Sequence, residues 1–166
     1  VSTTLTLALG DALAVCLMKL RDFKSEDFAA FHPGGSLGKR LYLKVKDTMR
    51  KSNLPIAKDD ISLKSAITAM SEGRLGSVLL VDNDGKLSGI LSDGDLRRAL
   101  ENDSFNINSK AIEFATKNPK TLDNPDMLAY DALRLIEEYK IQILIIQKDQ
   151  KPIGLLHIHD LTSLGL

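Results

Sequence analysis

Apolar positions along this chain fall into one long helical stripe followed by two blocks that share an order of elements. In the stripe, Leu5, Leu9, Ala12, Leu13, Cys16, Leu17 and Leu20 recur at helical spacing. Leu7, Val15 and Met18 widen it around the cylinder, so this helix expects cover on most of its sides. The first block opens with Val45-Lys46-Asp47-Thr48-Met49, read as an extended lead-in. Asp60 or Ser62 can then cap a helix bearing Leu63, Ala66, Ile67 and Met70, which Gly73 closes. An aliphatic strand Val78–Val81 runs into Asp82-Asn83-Asp84-Gly85, a strong hairpin signal, and Leu87–Leu91 brings the chain back. Asp93 or Asp95 opens a last helix through Arg97, Arg98 and Leu100. The second block answers with the lead-in Ala111–Thr116, an extended piece at 118–122 and a helix started by Pro125-Asp126 that carries Leu128, Ala132, Leu133 and Ile136. Its strand is Ile141–Ile146, its turn Lys148–Lys151 and its return Ile153–Leu156, with His159 or Asp160 opening a closing helix.

The strongest sign of repetition is Gly89-Ile90-Leu91-Ser92-Asp93-Gly94-Asp95-Leu96, matched by Gly154-Leu155-Leu156-His157-Ile158-His159-Asp160-Leu161. Gly, two aliphatics, the acid and the Leu keep their places, while Ser92 becomes His157. In each copy a short strand runs into a polar turn whose Asp can cap a helix or meet a ligand hydroxyl. A unit of about sixty residues buries little core alone, so the two are expected to pack face to face. The polar linker 101–108 divides them. These boundaries give a helical segment 1–43, a first repeat 44–104 and a second repeat 105–166, in an α/β (α+β) fold.

Composition narrows the function classes. Among 166 residues, 22 basic side chains balance 22 acidic ones, which argues against a generally basic, nucleic-acid-seeking surface. The single cysteine, Cys16, cannot form an internal disulfide and fits a reducing cytoplasm. Its apolar neighbours point to a buried small residue. Gly10, Asp11 and Lys19 interrupt the most apolar run, so no membrane segment is expected. The chain opens on Val1 and enters that run directly, which reads as a piece of a longer protein.

Candidate chemistry clusters at few places. Ser25 can cap a short helix presenting Phe28 and Phe31 to a core. The run His32-Pro33-Gly34-Gly35-Ser36-Leu37-Gly38-Lys39-Arg40 could bind an anion or serve as a plain connector. His157 and His159 could share a metal if both lay on one strand, but with only His32 elsewhere no metal site is expected, and surface imidazoles are the alternative. Arg97 and Arg98 read as a solvated face, and Lys39, Arg40, Lys44, Lys46, Arg50 and Lys51 as a solvated hinge. No aromatic interleaving accompanies these charges, so no nucleic-acid partner is expected.

Leu7–Ala14, Phe28-Ala29 and the His32–Gly38 run together resemble the bacterial arabinose-5-phosphate isomerases, over essentially the whole chain. That family joins a sugar isomerase (SIS) domain to a C-terminal pair of CBS (Bateman) domains. It interconverts D-ribulose 5-phosphate and D-arabinose 5-phosphate for Kdo biosynthesis. The resemblance implies that residues 1–43 are the tail of an SIS domain, that 44–104 and 105–166 are CBS domains, and that no cofactor is required. It also implies that His32 is a catalytic acid/base, a role suited to a group titrating near neutrality. The family's phosphate-binding residues and its other catalytic groups, a lysine and two glutamates, would precede Val1, leaving this segment inactive by itself. In CBS families that bind adenine nucleotides the motif is Gly, two aliphatics, Ser/Thr, two free positions and Asp. Gly89, Ser92 and Asp95 match throughout; Gly154 and Asp160 match, with His157 in the hydroxyl's place.

Three functions follow from these readings. One is the regulatory and oligomerising CBS pair of a cytoplasmic sugar-phosphate isomerase. It would bind a nucleotide or sugar nucleotide near Gly89, Ser92, Asp95 and Asp160, assemble as a dimer or tetramer, and have no membrane or nucleic-acid partner. The others are a freestanding adenine-nucleotide sensor and a dimerisation element without a ligand. The uncovered stripe of 1–43 leads one to expect contacts between subunits.

Overall fold

The computed structural model describes residues 2–24, 27–28, 31, 35–101 and 105–166. Helix α1, Ser2–Leu20, stands apart with no buried residue, and Leu5 and Leu20 remain 70% and 82% exposed. Cys16 is exposed with it, contrary to the burial expected from its apolar neighbours, because nothing among the described residues covers the helix. No membrane segment is expected from the interrupted apolar run, yet by length and composition alone this 19-residue helix with mean hydropathy 1.5 is apolar enough to cross one. Phe31 lies open, not in a core. Ser25 falls outside the described residues, as does His32.

Two similar units follow. In the first, β1 (Ile56–Lys58) pairs parallel with β2 (Ser77–Val81), and β2 pairs antiparallel with β3 (Leu87–Ser92). Helix α4 (Leu63–Gly73) covers one face, and α5 (Asp93–Leu100) follows β3. Ahead of this unit lie α2 (Ser36–Tyr42) and the single-turn α3 (Val45–Thr48). The second unit repeats the sheet as β4 (Thr121–Leu122), β5 (Ile143–Lys148) and β6 (Lys151–His157), with α6 (Ala129–Glu138) on its face and α7 (Ile158–Ser163) after β6.

Strand alternation builds three packed layers. Val78, Leu80 and Leu91 turn toward Leu63, Ala66 and Met70 of α4. Leu144, Ile146 and Leu156 turn toward Ala132, Leu133 and Ile136 of α6. The opposite faces meet each other: Leu75, Leu79, Ile143, Ile145 and Leu155 form one buried cluster joining the two sheets. This is the face-to-face packing that small duplicated units require.

The segments leading into each unit change partners. Residues 44–50 pack on the second unit: Lys44 bridges Leu128, Arg50 bridges Leu155, and the Val45 and Lys46 amides donate to Met127 and Pro125 carbonyls at 2.9 Å. Residues 110–116 return the exchange. Lys110 bridges Ser62, Thr116 bridges Ile90, and Ala111 is buried in the α4 core. Each unit therefore borrows its last strand-like segment from the chain ahead of the other.

Several local expectations change for identifiable reasons. Val45–Thr48 is a helical turn, stabilised by the Lys44 amide donating to Asp47 Oδ2 at 3.2 Å. Helix α4 is capped by Ser62, not Asp60, and ends on Arg74 in the left-handed region at φ 51°; Gly73 is its last helical residue. Pro125-Asp126 does not start α6, because Leu128 is held extended by its bridge to Lys44 and the helix begins at Ala129.

Candidate functional site

The two motif copies occupy equivalent places, where β3 runs into α5 and β6 runs into α7. The residues that cap these helices are Ser92 and His157, not the acids; Asp95 and Asp160 sit three positions on. In the first copy Ser92 and Asp95 form a reciprocal capping box. The Ser92 amide donates to Asp95 Oδ2 at 2.8 Å, the Asp95 amide donates to Ser92 Oγ at 3.3 Å, and the Ser92 hydroxyl adds a 2.5 Å bond to the same carboxylate oxygen. The other oxygen accepts from Arg98 and, at 3.3 Å, from the Thr116 hydroxyl on the crossing segment. Asp95 is 5% exposed, so its charge is compensated by these donors. Arg98 stays 69% exposed, as expected of a solvated face, while it pairs with this buried carboxylate.

The second copy substitutes different chemistry around the same carboxylate. Arg50 donates through Nε and an Nη to the two oxygens of Asp160, at 2.6 and 2.7 Å, a bidentate fork. The guanidinium holds Asp160 below the ordinary carboxylate value, and Asp160 raises Arg50 in turn. His157 is 8% exposed, not a surface imidazole, and its Nδ1 accepts the His159 amide at 3.2 Å. The two rings lie 5.1 Å apart between centroids. His157 ends a strand while His159 stands within α7, and among the described residues no cluster is suited to a metal.

The glycine shared by the two motif copies has a packing cause. A Cβ on Gly89 would stand 2.9 Å from the Thr116 carbonyl oxygen and 3.1 Å from Ile112 Cδ1. On Gly154 it would stand 2.9 Å from the Arg50 carbonyl oxygen and 2.8 Å from Met49 Sδ. Each glycine admits the crossing segment, whose backbone pairs with the next residue of the motif strand: Ile90 with Thr116, and Leu155 with Arg50, at 2.9–3.1 Å. Thr116 and Arg50 escaped the sequence reading. Only knowledge that the segments cross would have placed them beside Asp95 and Asp160.

Of the basic residues read as a solvated hinge, Lys51 stays exposed, and the other five are half-solvated but tied to the second unit. Lys39 Nζ donates to the Leu164 carbonyl at 2.9 Å, Arg40 lies 4.8 Å from the Tyr130 ring centre, Lys44 and Lys46 pair with Asp126 at 3.3 and 2.7 Å, and Arg50 takes Asp160. Lys46, then Lys44, holds Asp126 below its ordinary value. A depression of about 610 Å³ on the outer face of α6, lined by residues such as Met127, Asp131 and Arg134, includes no motif residue. Of the predicted site residues, the structure gathers Gly89, Ser92 and Asp95 in one unit and places Asp160 in the other, paired with Arg50.

Comparison with known proteins agrees with the duplication. The family model described as CBS domain matches residues 45–102 and 111–165. An uncharacterised protein of Helicobacter pylori strain J99 is 51% identical over 99% of this chain and 50% of its own length. Arabinose 5-phosphate isomerase KdsD of Francisella tularensis subsp. tularensis strain SCHU S4 is 43% identical over 99% of this chain and 50% of its own. The chain thus spans about half the length of these relatives. Among solved structures, CBSX2 in complex with AMP superposes with a TM-score of 0.66 at 24% identity, covering 74% of this chain and 96% of that one.

Proposed function

Since this chain belongs to the CBS domain family and is close kin to arabinose 5-phosphate isomerases, we propose that it is the regulatory and oligomerising CBS pair of such an enzyme. The 43% identity to KdsD, sustained over 99% of this chain, carries the reading. In this proposal the parent enzyme interconverts D-ribulose 5-phosphate and D-arabinose 5-phosphate in the cytoplasm for Kdo biosynthesis. Residues 1–43 belong to the tail of its SIS domain, His32 is a catalytic acid/base, and the CBS pair alone turns nothing over. The exposed leucines of α1 support cover by the remainder of the enzyme or by another subunit. The test is His32→Ala in the full-length enzyme: turnover should collapse with fold and assembly intact, and near-normal turnover would remove His32 from the mechanism.

The first motif copy is proposed as the effector site, for an adenine nucleotide or a sugar nucleotide. Gly89, Ser92 and Asp95 match the nucleotide-binding pattern, and a CBS pair of the same fold has been solved with AMP. Because Asp95 already accepts from Ser92, Arg98 and Thr116, a ribose hydroxyl must displace one of them, so binding is expected to be weak. Calorimetry with AMP, ATP and a sugar nucleotide should give heat that Asp95→Asn reduces; no heat from any of them, with folded protein, would refute the site.

A second reading is favoured by the same contacts. Both motif carboxylates are satisfied by the chain's own donors, as a purely structural pair would require. A silent calorimeter together with a stable oligomer would select it.

A further inference from the structure

The four groups His157, His159, Asp160 and Arg50 form a cluster that joins the docked segment 44–50 to the second unit. Its parts depend on one protonation state. His157 can cap α7 only while Nδ1 keeps its lone pair, because that atom accepts the His159 amide. The ring is buried beside a guanidinium whose fork occupies both oxygens of Asp160. Among the described residues, the charged groups acting on it are His159 and Asp160 from its own turn and Arg50 from the crossing segment; Ile143, opposite it on β5, is uncharged. A proton on His157 would remove the cap, repel Arg50, and make the imidazolium a rival for Asp160.

We propose that this cluster is a proton-responsive clasp, which at mildly acidic pH releases Arg50, the end of the docked segment, from the second unit. The release is local: Arg50 loses Asp160, and the two backbone bonds between Arg50 and Leu155, at 2.9 and 3.1 Å, open with it. Burial first, and then His159, hold the imidazole below its ordinary value, with Asp160 pulling the other way and Arg50 adding a smaller push down. The neutral ring is therefore the form that fits the closed clasp. The first unit has no such group: Ser92 stands in place of His157, and the corresponding backbone pair of Ile90 and Thr116 is an internal control. The inference is independent of any ligand, so a silent nucleotide titration leaves it standing.

Amide hydrogen exchange on the full chain, corrected for intrinsic rates, tests it between about pH 7.5 and about pH 5.5, the range in which histidine titrates. Protection of the Arg50 and Leu155 amides should fall by up to about tenfold per pH unit while Ile90 and Thr116 hold theirs, the limit for release coupled to one proton. In His157→Asn, whose amide oxygen can still cap α7, the fall should vanish. Constant protection at Arg50 and Leu155 in the wild type, or an unchanged fall in His157→Asn, overturns the proposal. If that variant does not fold, NMR titration of the wild type decides: the His157 ring signals and the Arg50 Nε–H should move with one midpoint, and separate midpoints refute the clasp.

Discussion

Replacing Gly89 with Ala separates a glycine that serves a ligand from one that admits a neighbouring backbone. The added Cβ would lie 2.9 Å from the Thr116 carbonyl oxygen and 3.1 Å from Ile112 Cδ1. The Ile112 methyl can rotate aside, but Thr116 is fixed by its two bonds to Ile90, at 2.9 and 3.0 Å. Forcing a methyl into such packing costs about 1–3 kcal/mol. Straining the adjoining pair forfeits part of two hydrogen bonds worth about 0.5–1.5 kcal/mol each. Against this, Ala narrows the unfolded ensemble by about 0.4–1 kcal/mol. Packing wins, leaving a net loss of about 1–3 kcal/mol with no ligand present. In a chain of 166 residues each kcal/mol should lower the melting temperature by about 2–4 °C. Urea unfolding with exchange at the Thr116 amide makes the measurement. Gly154→Ala should behave alike through Arg50 and Met49. A Gly89→Ala protein as stable as the parent, with Thr116 equally protected, would refute the packing account and return the glycine to a ligand.

Three further outcomes follow from other contacts. Leu79→Ala empties part of the cluster joining the sheets, where Leu79 is 1% exposed, and should cost about 2–5 kcal/mol; a loss below about 1 kcal/mol would mean that the sheets do not rely on that face. Arg50→Ala breaks a bidentate pair whose side chains are 44% and 30% exposed, so about 1 kcal/mol is expected, shrinking as salt rises; a salt-independent effect would point to lost packing. Urea midpoints should also drop on acidification in two steps. His157 has a lowered folded pKa, so its contribution is complete above about pH 6.5 and fades as the pH falls below it; Asp160, also lowered, follows below about pH 3.8. A flat profile from neutrality to about pH 5 would contradict the buried neutral imidazole.

Period and turn chemistry made most of the fold readable. Val78–Val81 and Ile143–Ile146 are continuous aliphatic runs because both faces are covered, one by a helix and the other by the opposite sheet. The turn at Asp82–Gly85 announced itself through an aspartate whose Oδ1 accepts from the Asp84 and Lys86 amides. What stayed hidden was exchange between units. The lead-in segments look local in sequence, yet each binds the unit it does not precede, and this converts Gly89, Thr116 and Arg50 from motif, linker and hinge into contacts. The same blindness misjudged Lys39, Arg40, Lys44 and Lys46, whose partners Leu164, Tyr130 and Asp126 lie far along the chain. Cys16 failed for the converse reason: an apolar stripe reports a demand for cover, not its supply.

The two copies differ in what a hydroxyl-bearing ligand would disturb. At Asp95 the strongest competitor is Arg98, three residues along the same helix, so displacing it costs a local ion pair and leaves the Ile90–Thr116 pairing intact. At Asp160 the competitor is Arg50, and displacing it loosens the only ion pair that ties the end of the docked segment to the motif turn, among the described residues. Residues 35–43 continue that segment and reach the second unit through Lys39 and Arg40. An effector at the first copy could therefore bind without moving the strap, whereas one at the second would act on it directly. Sequence matching favours the first copy for affinity; mechanics favours the second for transmission. The two can be told apart by protection at Arg50 under saturating nucleotide: unchanged protection with measurable heat assigns binding to the first copy alone, and lost protection assigns it to the clasp.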